Sequence, residues 1–127
     1  MILDSSAIVA ILLRERGWEE LVAKLAAEPA AVGAPTVVET GLVLTAKIGK
    51  KARTVLARFL QEAGLTVIPF GEEHWRTAVE AYGRFGKGRH PASLSFGDCL
   101  TYAVARLAGQ RLLFVGTDFS KTDLPSA

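Results

Sequence analysis

Hydrophobic positions recur along this chain at two spacings. Short apolar runs stand at MIL, AAVGA, LTVIPF and RLLFVG, and longer stretches between them repeat their apolar residues every three or four positions. Short runs bounded by turn residues read as buried strands, and the longer periodic stretches read as amphipathic helices. The pattern predicts a strand over residues 1–4 and a helix over 6–14 carrying Ile8, Val9, Ile11, Leu12 and Leu13, with Ser5 or Ser6 as its cap. A second helix is predicted over 18–27 and a strand of small residues over 30–34. Pro35 and Thr36 open the next helix and Gly49 breaks it. Residues 50–63 read as helix again, ended by Gly64. LTVIPF is a strand that Pro69 terminates, residues 72–84 are helical, and 85–97 form a Gly-rich loop. A helix over 98–108, the strand RLLFVG and a tail with one helical turn complete the chain. Such alternation predicts an α/β fold with a mostly parallel sheet.

Composition narrows this picture. A chain of 127 residues, half of them hydrophobic, predicts one domain over 1–127 with a single core. Fifteen basic and 13 acidic residues leave a formal charge of +2, which neither demands nor excludes a nucleic-acid partner. The lone Cys99 allows no intramolecular disulfide, so a reducing compartment is the natural reading. The start lacks the charged-then-apolar pattern of a signal peptide, and no apolar run approaches the roughly 20 residues of a membrane span. The expectation is a cytoplasmic protein with no membrane partner. No repeat, low-complexity tract or linker interrupts it.

Four acids fall at the ends of predicted elements. Asp4 ends the first strand, Glu39 lies in the early turns of the helix after the second, Asp98 opens a helix behind Gly97, and Asp118 follows the last strand. In a parallel sheet with right-handed crossovers, strand C-termini and the next helix N-termini share one edge, where ligands bind. Each acid has an ordinary reading. Asp98 or Asp118 could cap a helix, and a lone Glu39 could be a solvated helix residue. Asp4 is harder to explain, because a charge at the end of an apolar strand is costly to bury. Four carboxylates at one edge repel, and a divalent cation resolves that repulsion. Hard oxygen ligands suit Mg²⁺ or Mn²⁺, and such an ion suits phosphoryl chemistry. His74 and His90 are not at ligand spacing, and one cysteine makes no structural zinc site.

Together MILDSSAIVAILL, VVETGLVL, FGKGRHPASLSFGDCLTYAVA and LLFVGTDFSKTDL span the chain. On these stretches it resembles PIN-domain ribonucleases, in particular the VapC toxins of bacterial toxin–antitoxin pairs. The resemblance implies a three-layer α/β/α fold and an acidic site made of Asp4, Glu39, Asp98 and Asp118. It implies Mg²⁺ or Mn²⁺ held by Asp4, Asp98 and Asp118, with Glu39 orienting or deprotonating a water that attacks an RNA phosphodiester. It also implies a homodimer and a cognate antitoxin as partner. Ser6 matches the small hydroxyl found near the first acid of the family, and competes with helix capping for that role. Ser95 stands where the family commonly has Asn, and Thr117 where an acid or amide often precedes the last Asp.

In the Gly-rich loop, Lys87, Arg89 and His90 are candidate RNA contacts, since Gly86 and Gly88 let backbone approach phosphates closely. Lys47, Lys50, Lys51 and Arg53 read as a solvated helix end. Cys99 reads as core, and Tyr102 either as core or as an edge of the cleft. The competing function is a catalytically inactive PIN-like module that binds RNA or antitoxin without cutting. A signalling receiver domain fits poorly, since LTVIPF carries no phosphoacceptor Asp. A phosphatase with an aspartyl nucleophile would want D-x-D where this chain has Asp4-Ser5-Ser6.

Overall fold

Alternation along four short strands decides where two helical layers go. The computed structural model describes residues 1–127, with β1 (Ile2–Leu3), α1 (Ser5–Leu12), α2 (Trp18–Ala27), β2 (Ala31–Gly33), α3 (Ala34–Ile48), α4 (Ala52–Glu62), β3 (Thr66–Ile68), α5 (Glu72–Phe85), α6 (Phe96–Ala108) and β4 (Leu112–Leu113) in chain order. Successive strand side chains point to opposite faces. Ile2 and Leu112 therefore enter a core with Ala81, Phe85, Tyr102 and Val104 of α5 and α6. Leu3, Val32 and Leu113 face the other way and meet Ile8, Leu21, Leu44 and Leu56 of α1–α4. The result is the three-layer α/β/α arrangement expected.

All strand pairings are parallel, in the order β3-β2-β1-β4. Connections from β1 run to β2 and β3 on one side, and the chain then crosses to β4 on the other. The crevice where the order reverses lies at β1 and β4, the place where open α/β sheets bind ligands. The ladder reaches just past β1, because the Asp4 amide donates to the Leu113 carbonyl at 3.0 Å. Asp4 is thus held by the sheet through its backbone and stands at the crevice with its side chain.

Several local expectations are corrected. Asp4, not Ser5 or Ser6, caps α1, with its carboxylate accepting the Ser6 amide. An aspartate cap serves as well as a serine one, and the helix begins at Ser5. The helix carrying Asp98 starts two residues earlier, at Phe96, because Ser95 caps it. LTVIPF and RLLFVG contribute strands of three and two residues. The 50–63 helix opens with a 3₁₀ turn at Gly49–Lys51 before α4. Gly33 brings β2 close under α6, where a Cβ would lie 2.7 Å from Val104 Cγ2.

Candidate active site

Each of the four acids is placed by a different element, and the side chains of Asp4, Glu39 and Asp98 each have their own anchor. Asp4 is 5% exposed. Its Oδ2 accepts from the Ser6 amide at 3.1 Å and the Ser6 hydroxyl at 2.6 Å, and its Oδ1 accepts from the Thr101 hydroxyl at 2.9 Å. The Ser6 hydroxyl in turn accepts the Val115 amide at 2.9 Å, tying the end of β1 to the segment that leaves β4. Ser6 therefore supports Asp4 directly.

Glu39, half-buried on α3, receives the Ser5 hydroxyl on Oε1 at 2.9 Å. Its carboxylate lies against Gly97, where a side chain would collide with it. Asp98 forms a reciprocal cap with Ser95: the Ser95 amide donates to Asp98 Oδ2 at 3.0 Å, and the Asp98 amide donates to Ser95 Oγ at 3.2 Å. The serine that stands in place of the family's asparagine supplies that cap. Asp118 is exposed and opens a 3₁₀ turn without a side-chain cap bond. Thr117 is exposed, and its carbonyl accepts both the amide and the hydroxyl of Ser120.

Electrostatics show that these groups sense one another. Burial pushes the Glu39 carboxyl up, the Ser5 bond opposes this, and the charges of Asp4 and Asp98 push it further. Burial likewise raises Asp98, Ser95 pulls it down through the amide and hydroxyl bonds, and the Asp4 and Asp118 charges add to the rise. The donors are all carboxylate oxygens, the type that hard divalent cations take. As the side chains stand, no three of them close on one point. The set fits a hard cation in chemistry and in excess negative charge.

The loop between α5 and α6 flanks this edge. Lys87 and Arg89 are exposed, with the Arg89 guanidinium 5.6 Å from the Tyr82 ring centroid. His90 is half-buried; its Nδ1 accepts the Ala92 amide at 3.0 Å and its ring stands edge-on to Phe85. Tyr102 faces the core and not the cleft, and its hydroxyl donates to Asp123 at 2.7 Å. Arg84 and Arg106 also approach Asp123, at 3.5 and 3.7 Å. Burial draws the Asp123 carboxyl upward, but the Tyr102 bond and the two guanidinium groups outweigh it and hold it below the ordinary range. Cys99 is buried, as expected.

Sequence reasoning missed four contributors: Ser5, Gly97, Thr36 and Thr101. Thr101 carried a signal. It lies three residues after Asp98, on the same helical face, inside an otherwise apolar run.

Comparison with known proteins bears on the family and the fold. The PIN domain model matches residues 1–124. A VapC ribonuclease of Mycobacterium bovis is 49% identical over 126 residues, covering 98% of this chain and 91% of that protein. Ribonuclease VapC of Mycolicibacterium smegmatis is 37% identical, covering 98% and 97%. Among solved structures, VapC20 of Mycobacterium tuberculosis, described as a sarcin-ricin loop cleaving toxin, superposes with a TM-score of 0.79 at 20% identity, covering 99% of this chain and 97% of that one. VapBC2 from Rickettsia felis, bound to a promoter DNA fragment, gives 0.76 at 14% identity, covering 99% and 96%. These distant structures speak for the shared fold, and the closer relatives speak for the branch. By its matched length and its identity to those relatives, the chain belongs to the PIN-domain family, among the VapC proteins.

Proposed function

We propose that this protein is a metal-dependent endoribonuclease, the toxin of a VapBC-type toxin–antitoxin pair. The observation that carries the reading is that Glu39 and Asp98 each feel the charge of Asp4, and Asp98 that of Asp118, in a parallel sheet whose order reverses between β1 and β4 and in a chain whose relatives are named ribonucleases. A pure binding module gains nothing from clustered negative charge beside RNA, which favours the enzyme over the inactive alternative.

Asp4, Asp98 and Asp118 would hold Mg²⁺ or Mn²⁺, directly or through water. Such an ion supplies charge neutralisation and a more acidic bound water. Glu39 orients or deprotonates the attacking water. Burial raises its pKa and so makes it a better base than an ordinary glutamate, and the Ser5 bond fixes its direction. Ser6 keeps Asp4 in place, and Thr117 supports the segment carrying Asp118. Lys87 and Arg89, with His90 shaping their loop, neutralise the RNA backbone.

Partner binding has its own support. Val38 and Leu42 of α3 are 61% and 67% exposed, and Phe96 of α6 is 79% exposed beside them. A second apolar groove runs between α1, α2 and α4 past Ile11, Leu25 and Phe59. Contiguous exposed apolar surface marks interaction sites. A second copy of the chain and an amphipathic antitoxin helix fit these two faces. No helix is long and apolar enough to cross a membrane; the cytoplasmic setting follows from the proposed function as such a pair.

The test is cleavage of a mixed cellular RNA pool with Mg²⁺, with Mn²⁺ and with chelator, beside Asp98→Asn. Asparagine keeps an acceptor for the Ser95 amide, so the variant should fold. Discrete metal-dependent fragments that vanish in the variant are expected. A folded, fully active Asp98→Asn protein would sink the mechanism.

A further inference from the structure

Asp4 is more tightly specified than the other three acids, and the two residues that specify it, Ser6 and Thr101, lie outside the acidic set. An ionised carboxylate oxygen offers about two lone-pair sites. Oδ2 of Asp4 already accepts twice, both times from Ser6. Oδ1 accepts once, from Thr101, and keeps one site. Asp4 can therefore give a cation a single lone pair, on the oxygen that Thr101 orients.

Thr101 is itself oriented. Its proton is committed to Asp4, so its 3.1 Å contact with Thr36 Oγ1 has Thr36 as the donor. The three groups form a directed chain from the first turn of α3, through α6, to the end of β1. Thr36 is 2% exposed and Thr101 is fully buried. Two hydroxyls sealed from water are costly unless each finds a partner. A valine pair would fill the same space with no such demand. Cys99, Leu100, Tyr102, Ala103, Val104 and Ala105 around Thr101 are indeed apolar or largely so. The one threonine in that run donates its hydroxyl proton to Asp4.

We infer that Thr101, oriented by Thr36, is a positioning residue that sets the rotation of the Asp4 carboxylate and presents its remaining Oδ1 lone pair to a divalent cation. This rests on the metal-dependent reading above. Its substrate-independent consequence is a change in metal affinity separable from a change in fold stability.

The experiment measures Mn²⁺ binding by calorimetry and melting in chelator on the full chain. It uses wild type, Thr101→Val, Thr101→Ser and the double variant Thr36→Val/Thr101→Val. Loss of a partner that orients a metal ligand weakens binding by about 10–100-fold, and that loss is expected for Thr101→Val. Thr101→Ser, which keeps the hydroxyl, should bind within about threefold of wild type on the same scale. The double variant removes the hydroxyl that Thr101→Val leaves stranded, so it should melt above that single variant yet bind Mn²⁺ just as weakly. If Thr101→Val is too unstable to assay, the double variant makes the same comparison. Wild-type affinity in either valine protein, or affinity that recovers with melting temperature in the double, overturns the inference alone. A wild-type protein that binds no Mn²⁺ overturns the metal reading and this inference with it.

Discussion

The Glu39 carboxylate occupies the space in which a side chain at Gly97 would begin: a Cβ there would lie 2.8 Å from Glu39 Cδ. The pair joins α3 to the first turn of α6 and leaves the glutamate one place to go. Gly97→Ala should push Glu39 aside. A displacement of about 1 Å at a reacting group costs on the order of 100-fold in rate, and a loss of that size is expected in RNA cleavage. In a Glu39→Ala background the same substitution should instead stabilise the fold by up to ~1 kcal/mol, the helix preference of alanine over glycine. Additive effects in this double-mutant cycle would show that the two residues do not compete for space.

Charge repulsion at the acidic edge should be visible as pH-dependent stability. Glu39 titrates above its ordinary 4.5, first through burial and then through Asp4 and Asp98. The folded state therefore holds this proton more tightly than the unfolded chain, and stability falls as pH rises from about 4.5 through the folded value. In chelator at pH 7, Glu39→Gln should melt above wild type, and the gap should close by about pH 4. A gap that opens on acidification instead would reverse the sign and refute the assignment. Adding Mg²⁺ at 100 times its dissociation constant should raise wild-type stability by about 2.7 kcal/mol.

The loop cations should act on binding and not on chemistry. Lys87→Gln or Arg89→Gln removes one phosphate contact at most, so each should lower the salt slope of single-stranded RNA affinity by about 0.7. Fluorescence anisotropy across a salt series reads this directly, with the turnover rate at saturating RNA unchanged. A slope equal to wild type would mean that the residue is merely solvated.

Phe96 tests the apolar face. Because it is 79% exposed, Phe96→Ser should leave the melting temperature of a dilute, monomeric sample within the range of ordinary surface substitutions, about ±0.5 kcal/mol. Sedimentation at higher concentration should show dimer for wild type and monomer for the variant. A dimer that survives the substitution places the contact on another face.

Cys99 should be inert. Burial, and after it the Asp98 charge, push its thiol up to about 11. The thiolate is the reactive form, so native protein at pH 8 should react slowly with a disulfide reagent and yield one thiol per chain once denatured. Fast native labelling would mean that α6 opens far more readily than its packing implies.

Element types were readable from the chain because burial on both faces of a parallel sheet leaves dense apolar runs, and MIL and RLLF carry that mark plainly. Strand lengths were not, because a ladder ends where its partner turns away. Val67 lies in an edge strand and is 43% exposed, yet LTVIPF reads as if wholly buried. Asp4, Asp98 and Asp118 could be named because each sits at an element boundary, and Glu39 because it lies in the early turns of α3, the helix that follows β2. Their supports could not. Ser5 reads as a cap until α3 brings Glu39 across to it. Thr36 and Thr101 are 65 positions apart, and only the packing of α3 on α6 makes them neighbours. Gly97 suggests flexibility in a loop, whereas in the fold it is room for a carboxylate. The reciprocal cap of Ser95 and Asp98 was legible in principle, as a serine followed three residues later by an acid.

Asp4 both caps α1 and faces the other acids, and this divides the ways in which such a gene can be silenced. A lesion that replaces Asp4 with a residue unable to cap strikes the helix and the acidic edge together, and loss of the cap alone costs about 1 kcal/mol of stability. A lesion at Asp98 that keeps the Ser95 bond leaves an intact shell. Such a shell would persist in the cell and continue to occupy whatever partner the active form engages, so the two inactive alleles would differ in dominance.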